Sequence, residues 1–165
     1  IVVGQEDKFF NMFGAFARLS PVLPLIGGGA TKFQPVTVGD VAAATYAAAS
    51  RPQCAGQIYE LGGPKIYSFK ELLEIMLAEI RRRRLLVPVP FAMARLMAMP
   101  FDWCPVPLEW LPIPVLTRDQ VSMLRVDNVA SSEYPGLRDL DIDPTLIDTV
   151  LPNYLNRYRR AGSEN

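Results

Sequence analysis

Behind Asp7, the apolar residues Phe9, Phe10, Met12, Phe13, Phe16 and Leu19 recur at helical spacing. Asp7 is suited to cap the helix they predict. Ser20-Pro21 ends it, because the residue before a proline is pushed out of the helical region. The clearest amphipathic stripe comes later: Phe69, Leu72, Leu73, Met76, Leu77 and Ile80 lie at offsets 0, 3, 4, 7, 8 and 11. Ser68 and Glu71 stand before it as a capping box, and Arg81 to Arg84 follow it. Between the two stripes, the β-branched stretch Phe33 to Val38 predicts a strand. Asp40 is expected to cap an alanine-rich helix over about 41–50, whose small side chains let it lie close to a sheet. Gln57 to Leu61 and Leu85 to Val89 read as further strands, the first broken by Gly62-Gly63-Pro64. Ile1-Val2-Val3-Gly4 reads as the end of a buried strand entering a turn, so the chain is expected to start inside a fold, with an upstream half before it.

Residues 88–116 break this pattern. Prolines at 88, 90, 100, 105, 107, 112 and 114 are interspersed with Phe91, Met93, Leu96, Met97, Met99, Phe101, Trp103 and Trp110. The longest uncharged run near this segment, Leu85 to Ala94, is half the roughly twenty residues a spanning helix needs. A short amphipathic helix over about 91–99 either covers the core or offers a surface to a partner protein or a membrane interface. Thr117 and Gln120 form a second capping box, for a helix over 118–125. Asp143-Pro144 predicts a helix near 145–151, and Pro152 starts or kinks a last helix through Tyr154, Leu155 and Tyr158. Residues 161–165 read as a tail. The order of strands and helices predicts an α/β fold over residues 1–160, with parallel pairing where helices cross over.

Composition narrows the chemistry. Half of the 165 residues are hydrophobic and 21% are charged, a globular balance. Lys+Arg and Asp+Glu both total 17, so no net field attracts nucleic acid. The absence of histidine excludes a Ser-His-Asp or Cys-His arrangement and a histidine metal site within the chain. Cys54 and Cys104 read as isolated thiols that stay reduced. Gly27-Gly28-Gly29-Ala30-Thr31-Lys32 lacks the spacing of a phosphate loop and precedes a strand, so it reads as a turn. Arg81 to Arg84 read as a solvated run that complements the helix dipole, with anionic lipid or phosphate binding as the alternative. Asp127, Asp139, Asp141 and Asp143 show no acid/base spacing, and Asp40, Ser68 and Asp143 read as helix caps. The residues alone identify no active site and no metal site.

Four landmarks in order resemble the C-terminal half of extended or atypical short-chain dehydrogenase/reductase (SDR) proteins, the epimerase/dehydratase group. They are Val2 to Asp7, a strand-turn; Phe33 to Ala42, which is similar to a V-H-V-x-D-V-A junction; Tyr59 to Gly63 with Tyr67 to Leu72; and Leu137 to Leu151. Within the group, Gly4-Gln5-Glu6-Asp7-Lys8-Phe9-Phe10-Asn11, Thr31 to Val36 and Leu116 to Leu124 look most like the SDR-like accessory subunit of respiratory complex I and its α-proteobacterial relatives.

The resemblance implies the C-terminal portion of a Rossmann-type SDR fold: the last parallel strands plus a small substrate or interaction subdomain. It implies NADP(H) or NAD(H) in the full-length protein and none for this chain alone, since the glycine-rich fingerprint and the Tyr-x-x-x-Lys pair belong upstream. It implies complex I subunits as partners and a peripheral place on the inner face of a bacterial plasma membrane, or on the matrix side in mitochondria. Epimerases of this group carry Arg where Phe33 stands, and their Arg-Pro-Gly-Asp element is replaced by Pro90-Phe91-Ala92-Met93, which removes phosphate contacts. An apolar or lipidic ligand, or none, fits better. Three readings stay open. The first is a non-catalytic accessory subunit that uses residues 88–116. The second is the substrate half of an NAD(P)-dependent oxidoreductase or epimerase, with Phe10, Asn11, Lys32, Gln34 and Arg84 as pocket candidates. The third is a peripheral membrane or interaction module, with Arg81, Arg82, Arg83, Trp103 and Trp110 at the surface. Self-association through a sheet edge is a further expectation.

Overall fold

The computed structural model describes residues 1–102, 118–131 and 133–159, with side chains described except over 97–102 and at 118. Residues 103–117, which include Trp103, Cys104, Trp110 and Thr117, and the tail 161–165 lie outside the described residues. The fold is α/β. The first helix, α1 (Lys8–Leu19), starts where Asp7 Oδ1 accepts the Phe10 amide at 2.6 Å and ends where the Ser20 amide donates to the Phe16 carbonyl. It turns Phe10, Phe13 and Ala17 into the core. The strand β2 (Val22–Ile26) runs parallel to β6 (Leu85–Val89), in a register from Val22 opposite Leu85 to Ile26 opposite Val89. Parallel pairing also joins β1 (Val2–Val3) to β4 (Val36–Thr37), while β3 (Lys32–Phe33) pairs antiparallel with β5 (Tyr67–Ser68). The helix α3 (Phe69–Glu79) opens on the predicted capping box: Ser68 Oγ accepts from the Glu71 amide, and Glu71 Oε2 accepts from the Ser68 amide. Its stripe of Phe69, Leu72, Leu73 and Met76 is fully buried.

Two cores result. The larger joins α1, β2, α3 and the C-terminal residues Leu151, Tyr154 and Leu155, with Phe9 in tilted and edge contact with the Phe10, Phe13, Phe33 and Phe69 rings. The smaller holds Val36, Cys54, Leu137 and Leu140 against Ala44 and Ala47 of α2 (Val38–Ser50), where the small side chains permit close approach.

Several predicted elements differ. The stretch Phe33 to Val38 is not one strand. Pro35 has no amide to donate, and the chain changes partner across Gln34-Pro35, from β5 on one side to β1 on the other. The cap of α2 is Thr37, which accepts from the Asp40 amide; Asp40 lies inside the first turn and holds another segment instead. Gln57 to Leu61 forms no strand: the Glu60 amide donates to the Pro135 carbonyl, but no ladder follows. The helix expected near 145–151 is a single 3-10 turn over Ile147–Thr149 that follows Leu146, and Asp143 does not cap it. The helix α4 spans Phe91–Asp102, longer than expected, and α5 spans Arg118–Met123, shorter than expected. The last helix, α6, spans Pro152–Leu155, with proline in its first turn.

Candidate functional site

The end of α3 builds an open basic groove. After Ile80, Arg81 takes a left-handed conformation with φ of 52°. Its amide donates to the Ala78 carbonyl while the Arg82 amide reaches the Leu77 carbonyl, a crossed pair of bonds that closes the helix. The chain then enters β6 at once, so four successive arginines occupy one tight connection. They do not form a uniformly solvated run. Arg82 and Arg84 are half-buried and turned inward: Arg82 Nε donates to the Tyr158 carbonyl at 2.8 Å, and Arg84 Nε to the Ala17 carbonyl at 2.8 Å. Arg81 and Arg83 are exposed. With Lys70, Glu74, Leu77, Ala78 and Leu86, the four arginines line a groove of about 700 Å³. Lys70 and Glu74 lie one turn apart on α3, with charged atoms 3.7 Å apart.

The five pocket candidates do not gather around this groove; Arg84 alone lines it. Phe10 is sealed in the core. Asn11 donates to the carbonyls of Gln5 and Asp7 and accepts from the Tyr158 hydroxyl. Lys32 is exposed on β3, where its amide donates to Asp127. Gln34 bridges the Gly63 carbonyl and the Ala130 amide. Of the surface candidates, Arg81, Arg82 and Arg83 line the groove. A second outward feature is the α4–α5 pair, with Met93, Leu96 and Met123 more than half exposed and Arg125 packed 5.4 Å from the Phe91 ring centre.

Two polar clusters went unread in the sequence. Buried Asp40 accepts from both the amide and the hydroxyl of Thr145 at 2.8 Å, pinning the C-terminal segment to α2. At the start of α1, Asp7 is buried beside Tyr154 and Arg157. Burial raises its carboxyl above the ordinary range, against the opposing pull of the nearby Tyr154 hydroxyl, the amides of α1 and the Arg157 charge. Burial likewise pushes up the Tyr154 hydroxyl. Although the two side chains act on each other electrostatically, neither Asp7 Oδ2 nor Tyr154 Oη has a hydrogen-bond partner among the described residues. No local motif marks either cluster, because the partners stand 105 and 147 positions apart. Among the described residues no three His, Cys, Asp or Glu side chains group as metal ligands, and no helix is long and apolar enough to cross a membrane.

No family model matches the chain. It is 40% identical, over 98% of its length, to NADH dehydrogenase (ubiquinone) 1 alpha subcomplex subunit 9, mitochondrial, of Arabidopsis thaliana, of which it covers 41%. The protein of the same name from Mus musculus is 28% identical over 96% of the chain, which covers 40% of it. The NADH-ubiquinone oxidoreductase 40 kDa subunit, mitochondrial, of Neurospora crassa is 31% identical over 94% of the chain, which covers 39% of it. The chain thus spans about two fifths of the length of these relatives. Among solved structures, the crystal structure of gox2253 superposes on 99% of the chain and is covered to 48%, with a TM-score of 0.60 at 19% identity, a likeness of fold alone.

Proposed function

We infer that this chain, homologous to the C-terminal part of the SDR-like accessory subunits of respiratory complex I, is the part of such a subunit that docks it onto the complex. The observation that carries this reading is 40% identity to the Arabidopsis subunit over 98% of the chain. The side chains that drew attention as chemistry support it from another direction. Asn11, Gln34, Asp40, Arg82 and Arg84 are engaged with backbone groups that hold the fold together. What faces outward is a basic groove and the apolar α4–α5 pair, both suited to contact rather than turnover. Residues 88–116 would extend that contact surface. NADP(H) or NAD(H) belongs to a Rossmann part that this chain does not supply. The subunit would sit peripherally, on the matrix side of the mitochondrial membrane or its bacterial equivalent. The oxidoreductase and membrane-module readings gain no supporting observation.

The test is to tag the full-length protein in its own host and isolate NADH:ubiquinone oxidoreductase on native gels. The tag is expected in the intact complex, and deleting the gene is expected to lower the amount of assembled complex. A tag that migrates apart from an undiminished complex sinks the reading.

A further inference from the structure

We propose that the groove between α3 and β6 seats an acidic segment of a partner protein, with carboxylates against Arg81, Arg83 and Lys70 and an apolar ridge against the floor. The proposal rests on the docking role above and names the partner's chemistry. Charge is the first argument. Among the described residues the groove lining carries five cations and one carboxylate, Glu74, although the chain as a whole balances at 17 against 17. Guanidinium groups pair with carboxylates through parallel hydrogen bonds, which suits them to such a segment. Shape is the second. Leu77 and Leu86 lie recessed, buried and half-buried, between charged walls. A protruding helix or extended segment reaches that floor, whereas a flat bilayer surface does not. The groove is open, and an open site does not enclose a small molecule as ligand pockets do.

Backbone conformation is the third argument. The left-handed residue that ends a helix is commonly glycine, because a side chain there crowds the following carbonyl. Here that position holds Arg81, at φ of 52°, on the wall of the groove. Strain of this kind at a surface site points to a use for the side chain. The walls are also pre-set, since Arg82 and Arg84 are tied to the Tyr158 and Ala17 carbonyls.

The test uses the full-length protein in its native assembly. Carbodiimide joins an amine to a carboxylate without a spacer, so Lys70 is expected to couple to Asp or Glu of another protein, and Lys70→Arg removes that adduct. The variant Arg81→Gly, Arg83→Glu relieves the strained backbone and alters exposed positions, so it folds at least as well by thermal melt. Its retention in the assembly at about 0.15 M salt is expected to fall roughly tenfold or more. Unchanged retention, with Lys70 coupled only to Glu74, overturns the proposal. So does a variant that keeps its protein adducts but no longer floats with phosphatidylcholine–cardiolipin vesicles mixed at about four to one. If the wild type is absent from complex I yet Lys70 couples to some other protein, the complex I reading falls and the groove stands. If the wild type is in complex I and insensitive to these substitutions, the groove falls and the docking role stands.

Discussion

The buried carboxylates Asp40 and Asp7 act on this chain in different ways. Asp40 accepts from both donors of Thr145, so Asp40→Ala leaves a half-buried amide and hydroxyl without this partner. The expected loss is about 1–3 kcal/mol in a urea melt. A loss indistinguishable from zero would mean that water replaces the carboxylate freely. Asp7 works the other way. Burial raises its carboxyl, so the fold favours the protonated form. That contribution is present below the unfolded carboxylate range and is lost as pH rises through the raised, folded-state value. Asp7→Asn keeps an oxygen for the Phe10 amide and discards the charge. Its Tm is expected to exceed that of the wild type at pH 7, with the gap closing as pH is lowered through the acidic range. A gap that does not change with pH contradicts the account.

Elements whose sequence holds their whole reason were legible, and those that depend on a distant partner were not. α3 is the clear case: cap, capping box and stripe all lie within 68–80, and all form as read. Ser68→Ala removes the oxygen that accepts the Glu71 amide and the hydroxyl that donates to Glu71 Oε2, while the backbone amide at 68 still reaches that carboxylate. It is expected to cost about 1 kcal/mol, with faster amide exchange confined to the first turn of α3. Protection that falls evenly along the helix would argue against a cap effect. The sheet was harder to read. Residues 33–38 carry β-branched character, but their two halves pair with strands from opposite directions in sequence. Gly62-Gly63 read as a strand breaker. Their role is close passage: a Cβ at Gly63 would stand 2.0 Å from the Pro35 carbonyl oxygen. The basic run was visible as four arginines, yet its alternation of two inward and two outward heads depends on Ala17 and Tyr158, which no local pattern connects to it.

At the scale of the molecule, residues 152–159 act as a clasp across α1 and α3. Tyr154 and Leu155 enter the core. The Tyr158 ring lies over Gly14, where an added Cβ would come within 2.9 Å of it, and its hydroxyl donates to Asn11. Arg157 donates to the Gln5 carbonyl, and Arg159 pairs with Glu79 near the end of α3. The same segment supplies the Tyr158 carbonyl that fixes Arg82. The back of the basic groove is therefore built by the far end of the chain, and its geometry follows global stability rather than the local stability of α3. Leu155→Ala tests that link. Truncating a fully buried leucine costs about 2–5 kcal/mol, read as a lower denaturant midpoint at unchanged slope. Because the clasp loosens, amide exchange at 80–86 is expected to rise as well, although Leu155 is not among the residues lining the groove. Arg83→Glu lies in the groove but outside the clasp, and it is expected to shift stability by no more than about 0.5 kcal/mol while leaving that exchange unchanged. If the two variants exchange alike over 80–86, the groove is held by α3 alone and the clasp carries no information to it.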